Sequence, residues 1–210
     1  MKGGFDADFR ANLWTLIRLR RDVRRFRTDP VEAAVIDRCL DAFRFAPSVG
    51  LSEPWRLIRV HSVAARAAAA ENFAAANARA LGGQDDEQAA LYASQKLSGM
   101  QEAPLHLAVF CDDGTPKVAG LGAATMPEAR ACSVVAAITQ FWLALRAEGL
   151  GLGWVSILDP ARLMRDLGVP DDWRFVGYLC IGWPETTDDV PELERAGWES
   201  QSANLWMESR

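Results

Sequence analysis

Apolar positions fall into helical and strand periods in separate stretches of the chain. From Phe9 to Arg20 the apolar residues Leu13, Trp14, Leu16 and Ile17 gather on one side of a 3.6-residue wheel, which predicts a helix. Thr28-Asp29-Pro30 reads as the start of a second, with Asp29 as cap and Pro30 in the first turn. Its apolar face is Val31, Val35, Ile36, Cys39, Leu40 and Phe43, and it ends at Pro47. Arg56 to His61 alternates as a strand, and Leu105 to Cys111 is a continuous apolar run of the kind found in buried strands. Glu128 to Glu148 is apolar almost all round, so it must be covered, by a core or by a second chain. Trp154 to Leu158 and Phe175 to Ile181 read as further strands.

Two stretches lack such a signature. Residues 63–100 are alanine-rich and polar, with Gly82-Gly83 in the middle, and read either as two surface helices or as a lid. Residues 112–125 read as a glycine-bearing loop. From Pro191 onward the chain is a polar tail carrying Trp198 and Trp206, aromatics that call for something to pack against. Helices and strands alternate only in part, and no internal repeat is present. The expectation is an α+β domain of 210 residues with one central sheet flanked by helices.

Charge and cysteines narrow the function. A net charge of −5 provides no field for nucleic acid. Seven arginines nevertheless fall between Arg18 and Arg38, a local anion site in an acidic chain. The cysteines 39, 111, 132 and 180 have no zinc-ligand spacing and read as buried free thiols in a reducing compartment. No apolar signal core opens the chain and no run reaches membrane-spanning length, so the expectation is a cytoplasmic protein with no membrane and no metal.

Three motifs carry chemistry. In Arg20-Arg21-Asp22-Val23-Arg24, a helical turn would place Arg20 and Arg24 on one side as a phosphate clamp around an ionised Asp22; a solvated basic helix end is the alternative. The loop 46–55 offers Ser48 and Ser52 between prolines, and suits either a flat ring or a plain turn. In Gly149-Leu-Gly-Leu-Gly153, the order helix-then-strand excludes a dinucleotide fingerprint. Gly149 reads as a helix C-cap, while Gly151 and Gly153 bare the backbone to something planar, with Ser156 beyond them; a tight turn with an incidental serine is the alternative. His61 and His106 read as structural, which weakens triad and zinc-hydrolase readings.

With these residues in hand, the chain resembles the nitroreductase-like flavoproteins over nearly its whole length. The resemblance rests on Arg-Arg-Asp-Val-Arg at 20–24, Ala-Pro-Ser-Val-Gly-Leu-Ser at 46–52, Thr-Met-Pro-Glu at 125–128, Gly-Trp-Val-Ser-Ile-Leu-Asp-Pro at 153–160, Tyr-Leu-Cys-Ile-Gly at 178–182 and Pro-Glu-Leu-Glu-Arg-Ala-Gly-Trp at 191–198. It implies a single nitroreductase-like α+β domain with a mainly antiparallel sheet and a domain-swapped homodimer holding FMN at its interface. Residues 190–210 would pack on the partner subunit.

The blocks are most similar to those of the branch that fragments reduced FMN with O2 to 5,6-dimethylbenzimidazole and erythrose 4-phosphate. NAD(P)H then enters only through a separate flavin reductase that supplies reduced FMN. Carried over, the resemblance implies that Arg20, Arg21 and Arg24 bind the flavin's phosphate and polar edge, with Val23 among them. Asp22 acts as acid and base near the ribityl chain. Ser156 and Gly153 lie at the reactive ring edge, and Ser48 seats the ring. The alternative within the family is an NAD(P)H-dependent FMN nitroreductase or flavin reductase. Glu53 departs from the family's usual glutamine and would add a charge if it faced the flavin.

Overall fold

The computed structural model describes residues 3–81, 99–117 and 121–210. Four strands form one sheet: β1 (Trp55–Arg59), β2 (Leu105–Asp112), β3 (Gly151–Val155) and β4 (Trp173–Gly182). Their order is β1-β2-β4-β3 and every pairing is antiparallel. Around them lie α1 (Ala7–Leu19), α2 (Ala33–Arg44), α3 (Val63–Leu81), α4 (Leu121–Thr125), α5 (Ala129–Ala147), α6 (Pro160–Asp166) and α7 (Glu192–Arg195).

β2 shows why the sheet is central. Seven of its residues are buried, and alternate side chains enter two separate cores. Leu107, Val109 and Cys111 face α2 and α5, where Ile36, Phe43, Val134, Ile138 and Phe141 close the first core. Ala108 and Phe110 face the other way, toward Ala69 of α3, Leu163 of α6 and Tyr178. His106 is on this second side, buried, with Nδ1 2.8 Å from the Tyr178 hydroxyl. His106 is structural in this sense, whereas His61 lies exposed just beyond β1.

Several boundaries differ from expectation, each for a local reason. Asp29 does not cap α2: its carboxylate is held by Arg27 Nε at 2.8 Å, and the helix begins at Ala33. β3 is the glycine run itself rather than the residues after it. Gly149 ends α5 as expected, at φ 84°, with Leu150 N–H reaching Leu145 O and Gly149 N–H reaching Arg146 O. Part of the expected 112–125 loop is helical, as α4. Cys39, Cys111 and Cys180 are buried, but Cys132 is exposed on α5.

Two apolar surfaces stay open in the single chain. The face of α1 expected to be covered leaves Trp14 65%, Leu13 40% and Ile17 37% exposed. α5 buries one face and leaves Val135 and Cys132 on the other. Of the expected lid, residues 63–81 form α3, which packs on α6, and 82–98 lie outside the described residues.

Candidate functional site

The arginine run is extended, not helical. α1 stops at Leu19, and Arg20 already has the extended angles φ −73° and ψ 106°. The chain then runs along the free edge of β3, with isolated bridges from Asp22 to Leu152 and from Phe26 to Pro184. Val23 N–H donates to Leu152 O at 3.0 Å, and Arg27 N–H to Trp183 O at 2.8 Å. Phe26, 1% exposed, anchors the segment in the second core. An extended backbone alternates its side chains, so Asp22 and Arg24 share a side by a period of two, and the helical turn expected to join Arg20 to Arg24 is absent.

This course explains the glycines. A Cβ on Gly151 would stand 2.7 Å from Val23 Cγ2, and one on Gly153 would collide with the Val23 carbonyl oxygen. What the bare backbone admits is the chain's own segment, so Val23 and Gly153 meet each other. Gly153 is also paired with Cys180 in the sheet.

Asp22 is the centre of the arrangement. Its Oδ1 accepts the Trp154 backbone N–H at 2.8 Å, and its Oδ2 accepts Arg24 Nε at 3.1 Å. Burial pushes the carboxyl above the usual carboxylate range, against the pull of that N–H and of the Arg24 guanidinium. The side chain still keeps 35% of its surface accessible. A carboxyl that is ionisable, oriented and reachable is suited to moving a proton.

A cavity of about 280 Å³ opens beside it, between residues 21–25 and the chain after β4, with Thr186, Asp188, Glu192 and Arg195 on the far wall. Arg21 donates from Nε to the Asp189 carbonyl at 2.9 Å, Arg25 pairs with Glu192 at 3.2 Å, and Arg195 pairs with Asp188. Among the described residues, Arg24 Nη1 is buried with no hydrogen-bond partner, a donor left over beside the cavity. Arg20 is directed elsewhere and stacks over the Trp142 ring at 4.6 Å. Thr186, Glu192 and Arg195 were not singled out from sequence. They lie in the segment that follows the last strand, which ends at Gly182, and only the sheet's topology brings them to Arg21–Arg25.

Ser156 lies one residue past β3, exposed, with its carbonyl accepting Leu158 N–H at 3.0 Å. It stands two residues beyond the Trp154 amide that holds Asp22. Ser48 is not among the residues lining the Asp22 cavity. Its Oγ accepts Glu53 N–H at 3.1 Å and closes a turn fastened to α5 through Val49 N–H and Ser133 Oγ at 3.0 Å. Leu51 and Glu53 both adopt positive φ, 56° and 43°, a strained conformation for side-chain-bearing residues that the surrounding bonds hold in place. The Glu53 carboxylate is ion-paired with Lys117, so its charge is met within the chain.

A model of the nitroreductase family matches residues 17–183. A protein named 5,6-dimethylbenzimidazole synthase from Rhodospirillum rubrum is 52% identical over 197 residues, covering 94% of this chain and 93% of its own. Another of the same name, from Rhodobacter capsulatus, is 50% identical over 202 residues, covering 96% and 98%. Among solved structures, oxidized iodotyrosine deiodinase bound to FMN and 3-iodo-L-tyrosine superposes with a TM-score of 0.74 at 19% identity, covering 94% of this chain and all of that one.

Proposed function

We propose a function from the premise that the chain belongs to the nitroreductase family. It forms 5,6-dimethylbenzimidazole, the product named in relatives that are half identical to it along almost their whole length. Reduced FMN is the substrate. With O2 it is broken into the benzimidazole and erythrose 4-phosphate, and a separate NAD(P)H-dependent flavin reductase supplies it in reduced form.

The observation that carries this reading is Asp22, an accessible carboxylate fixed by Trp154 and Arg24 at the wall of an arginine-bordered cavity. The cavity fits a phosphate ester. Arg24 Nη1 is a buried donor without a partner among the described residues, and Arg21, Arg25 and Arg195 stand around the opening. With the phosphate held there, Asp22 is the carboxylate that takes a proton from the ribityl chain. Ser156, two residues along from the Asp22 anchor, orients the ring edge, and Ser48 seats the ring. Arg20 supports the clamp from Trp142. Val23 and Gly153 build the frame that aims Asp22.

The active form is a homodimer with the flavin at its interface. Two features support this. The apolar face of α1 and the outer face of α5 are open in one chain, as are Leu205, Trp206 and Met207 of the tail, which packs on the partner subunit. Ser48 also does not line the Asp22 cavity of its own chain, and in this reading a partner copy supplies it.

The test is to add photoreduced FMN to the purified protein, admit air and analyse the small molecules by chromatography with mass detection. A benzimidazole with loss of flavin supports the synthase. Quantitative return of oxidised FMN overturns it, and oxidation of NADPH with a nitroaromatic would then indicate a reductase.

A further inference from the structure

We propose that Asn72 is a positioning residue for Ser156. This inference rests on the reading of Ser156 given above and adds a residue that the reading does not contain.

Asn72 lies in α3, a helix built largely from alanine, and is only 1% exposed. Among the described residues, its side-chain amide bonds the backbone of a single residue, through both of its polar atoms. Nδ2 donates to the Asp159 carbonyl at 2.9 Å, and Oδ1 accepts the Asp159 N–H at 2.7 Å. Asp159 is three residues past Ser156. Its own carboxylate accepts Arg162 N–H at 3.0 Å and caps α6. Between the two, Leu158 N–H closes a turn on the Ser156 carbonyl, and Val155 and Leu158 are buried in the second core. The connector from β3 to α6 is therefore pinned on both sides of Ser156, while the serine itself stays exposed.

The helix does not need this amide to stay in place. Ala69 and Phe73 pack in the second core, and Glu71 already pairs with Arg162 of α6 at 3.3 Å. A buried amide needs hydrogen-bond partners to be tolerated, and among the described residues those of Asn72 belong to the connector. A hydroxyl that addresses a reacting ring must be held to a fraction of an ångström by groups behind it. Asn72 is in the place to do so, from an element that brings no other polar group to the connector backbone among the described bonds.

The experiment compares wild type with Asn72→Ala, Asn72→Asp, Ser156→Ala, the Asn72→Ala/Ser156→Ala double variant and a Glu71→Ala control. The first readout is backbone amide exchange without flavin. Exchange at residues 157–159 should quicken at least tenfold in Asn72→Ala, with the amides of β3 and the centre of α6 unchanged. Unaltered exchange overturns the clamp whatever the protein's activity. The second readout uses photoreduced FMN and air. In Asn72→Ala the share of flavin converted, rather than returned oxidised, should fall about tenfold, with flavin affinity within about twofold of wild type. Glu71→Ala should convert as wild type does. In the Ser156→Ala background the loss of Asn72 should add nothing further; losses that multiply overturn the coupling to Ser156. Asn72→Asp keeps the acceptor for Asp159 N–H but sets a carboxylate against the Asp159 carbonyl. It should fold and still lose conversion, and full conversion by it overturns the proposal. If wild type itself returns all its flavin, the functional reading fails, and the exchange result alone decides the clamp.

Discussion

Asp22 and Trp154 are 132 positions apart in sequence, and a 2.8 Å bond from the Trp154 amide to the Asp22 carboxylate joins them. That bond fixes the orientation of the only acid in the arginine run. It also occupies an amide on the free edge of β3. The orientation of this acid and the edge of the sheet are thus set by the same few atoms.

Replacing Asp22 by asparagine should leave the fold intact, because the amide oxygen can still accept the Trp154 N–H. Loss of a positioned proton acceptor should lower benzimidazole formation by about 100-fold or more. Burial raises the Asp22 pKa, so its charged form opposes folding, and its contribution to stability falls as pH rises above the ordinary carboxylate range. The amide nitrogen that replaces Oδ2 cannot accept Arg24 Nε, which offsets this gain, so the melting temperature at pH 7 should stay close to that of wild type. Product yield by mass detection, reduced-flavin binding and a melting curve check the three parts.

Ser156→Ala removes an exposed hydroxyl that makes no described contact in the core, so melting should shift by no more than about 0.5 kcal/mol equivalent. Conversion should fall, with the missing flavin recovered as oxidised FMN. Unchanged yield would take Ser156 out of the chemistry.

Gly153→Ala forces a methyl against the Val23 carbonyl. Overpacking of this kind costs about 1–3 kcal/mol. Here it should also prise residues 22–24 off β3, so the Trp154–Asp22 bond and flavin binding should both weaken. Gly168→Ala is the comparison: its φ is +63° with nothing near the added carbon, so it should lose stability without losing flavin. Equal flavin affinity in the Gly153 variant and wild type would contradict this account.

His106 is one source of acid sensitivity, beside carboxylates such as Asp159 and Asp188 whose bonds hold them below the ordinary range. Burial and the nearby Arg66 lower its pKa from 6.5 to about 4, so the folded chain binds fewer protons than the unfolded one between those values. Stability is then highest above pH 6.5 and falls as pH drops to 4, by about 3 kcal/mol. Melting temperature against pH should slope over this window in wild type and flatten in His106→Gln.

Glu53→Gln tests the departure from the family pattern. The ion pair with Lys117 is partly exposed, and such pairs contribute about 0.2–1 kcal/mol. Since the charge is already met by Lys117, reduced-flavin affinity should stay within about threefold. A gain well beyond that, measured by fluorescence titration, would mean that the carboxylate bears on the flavin.

Much of the fold was legible because it is written in local periods. β2 is a near-continuous apolar run, and two covered faces demand that; α5 is apolar enough to announce its burial, and Gly149 its end. Of the candidate site, the arginine run with its one acid stands out in the sequence, but its geometry does not. Arg20 and Arg24 fit a helical spacing of four and an extended spacing of two equally well, and pairing with a strand 130 positions away decides between them. The partner of Gly151 and Gly153 is Val23, which no local pattern points to. Asp29 has the type and place of a helix cap, but Arg27, two residues earlier, takes its carboxylate. Thr186, Glu192 and Arg195 lie in a polar stretch whose importance appears only once β4 delivers them to the arginines.

β3 is the last strand of the sheet, and an uncovered outer strand is a template on which another chain can polymerise. Its outward carbonyl at Leu152 and amide at Trp154 are both taken by the Asp22–Val23 segment. The Asp22–Val23 segment therefore occupies the edge on which a second chain could otherwise pair. A variant that frees this segment should lose solubility as well as activity, and the two losses should rise together as the segment detaches.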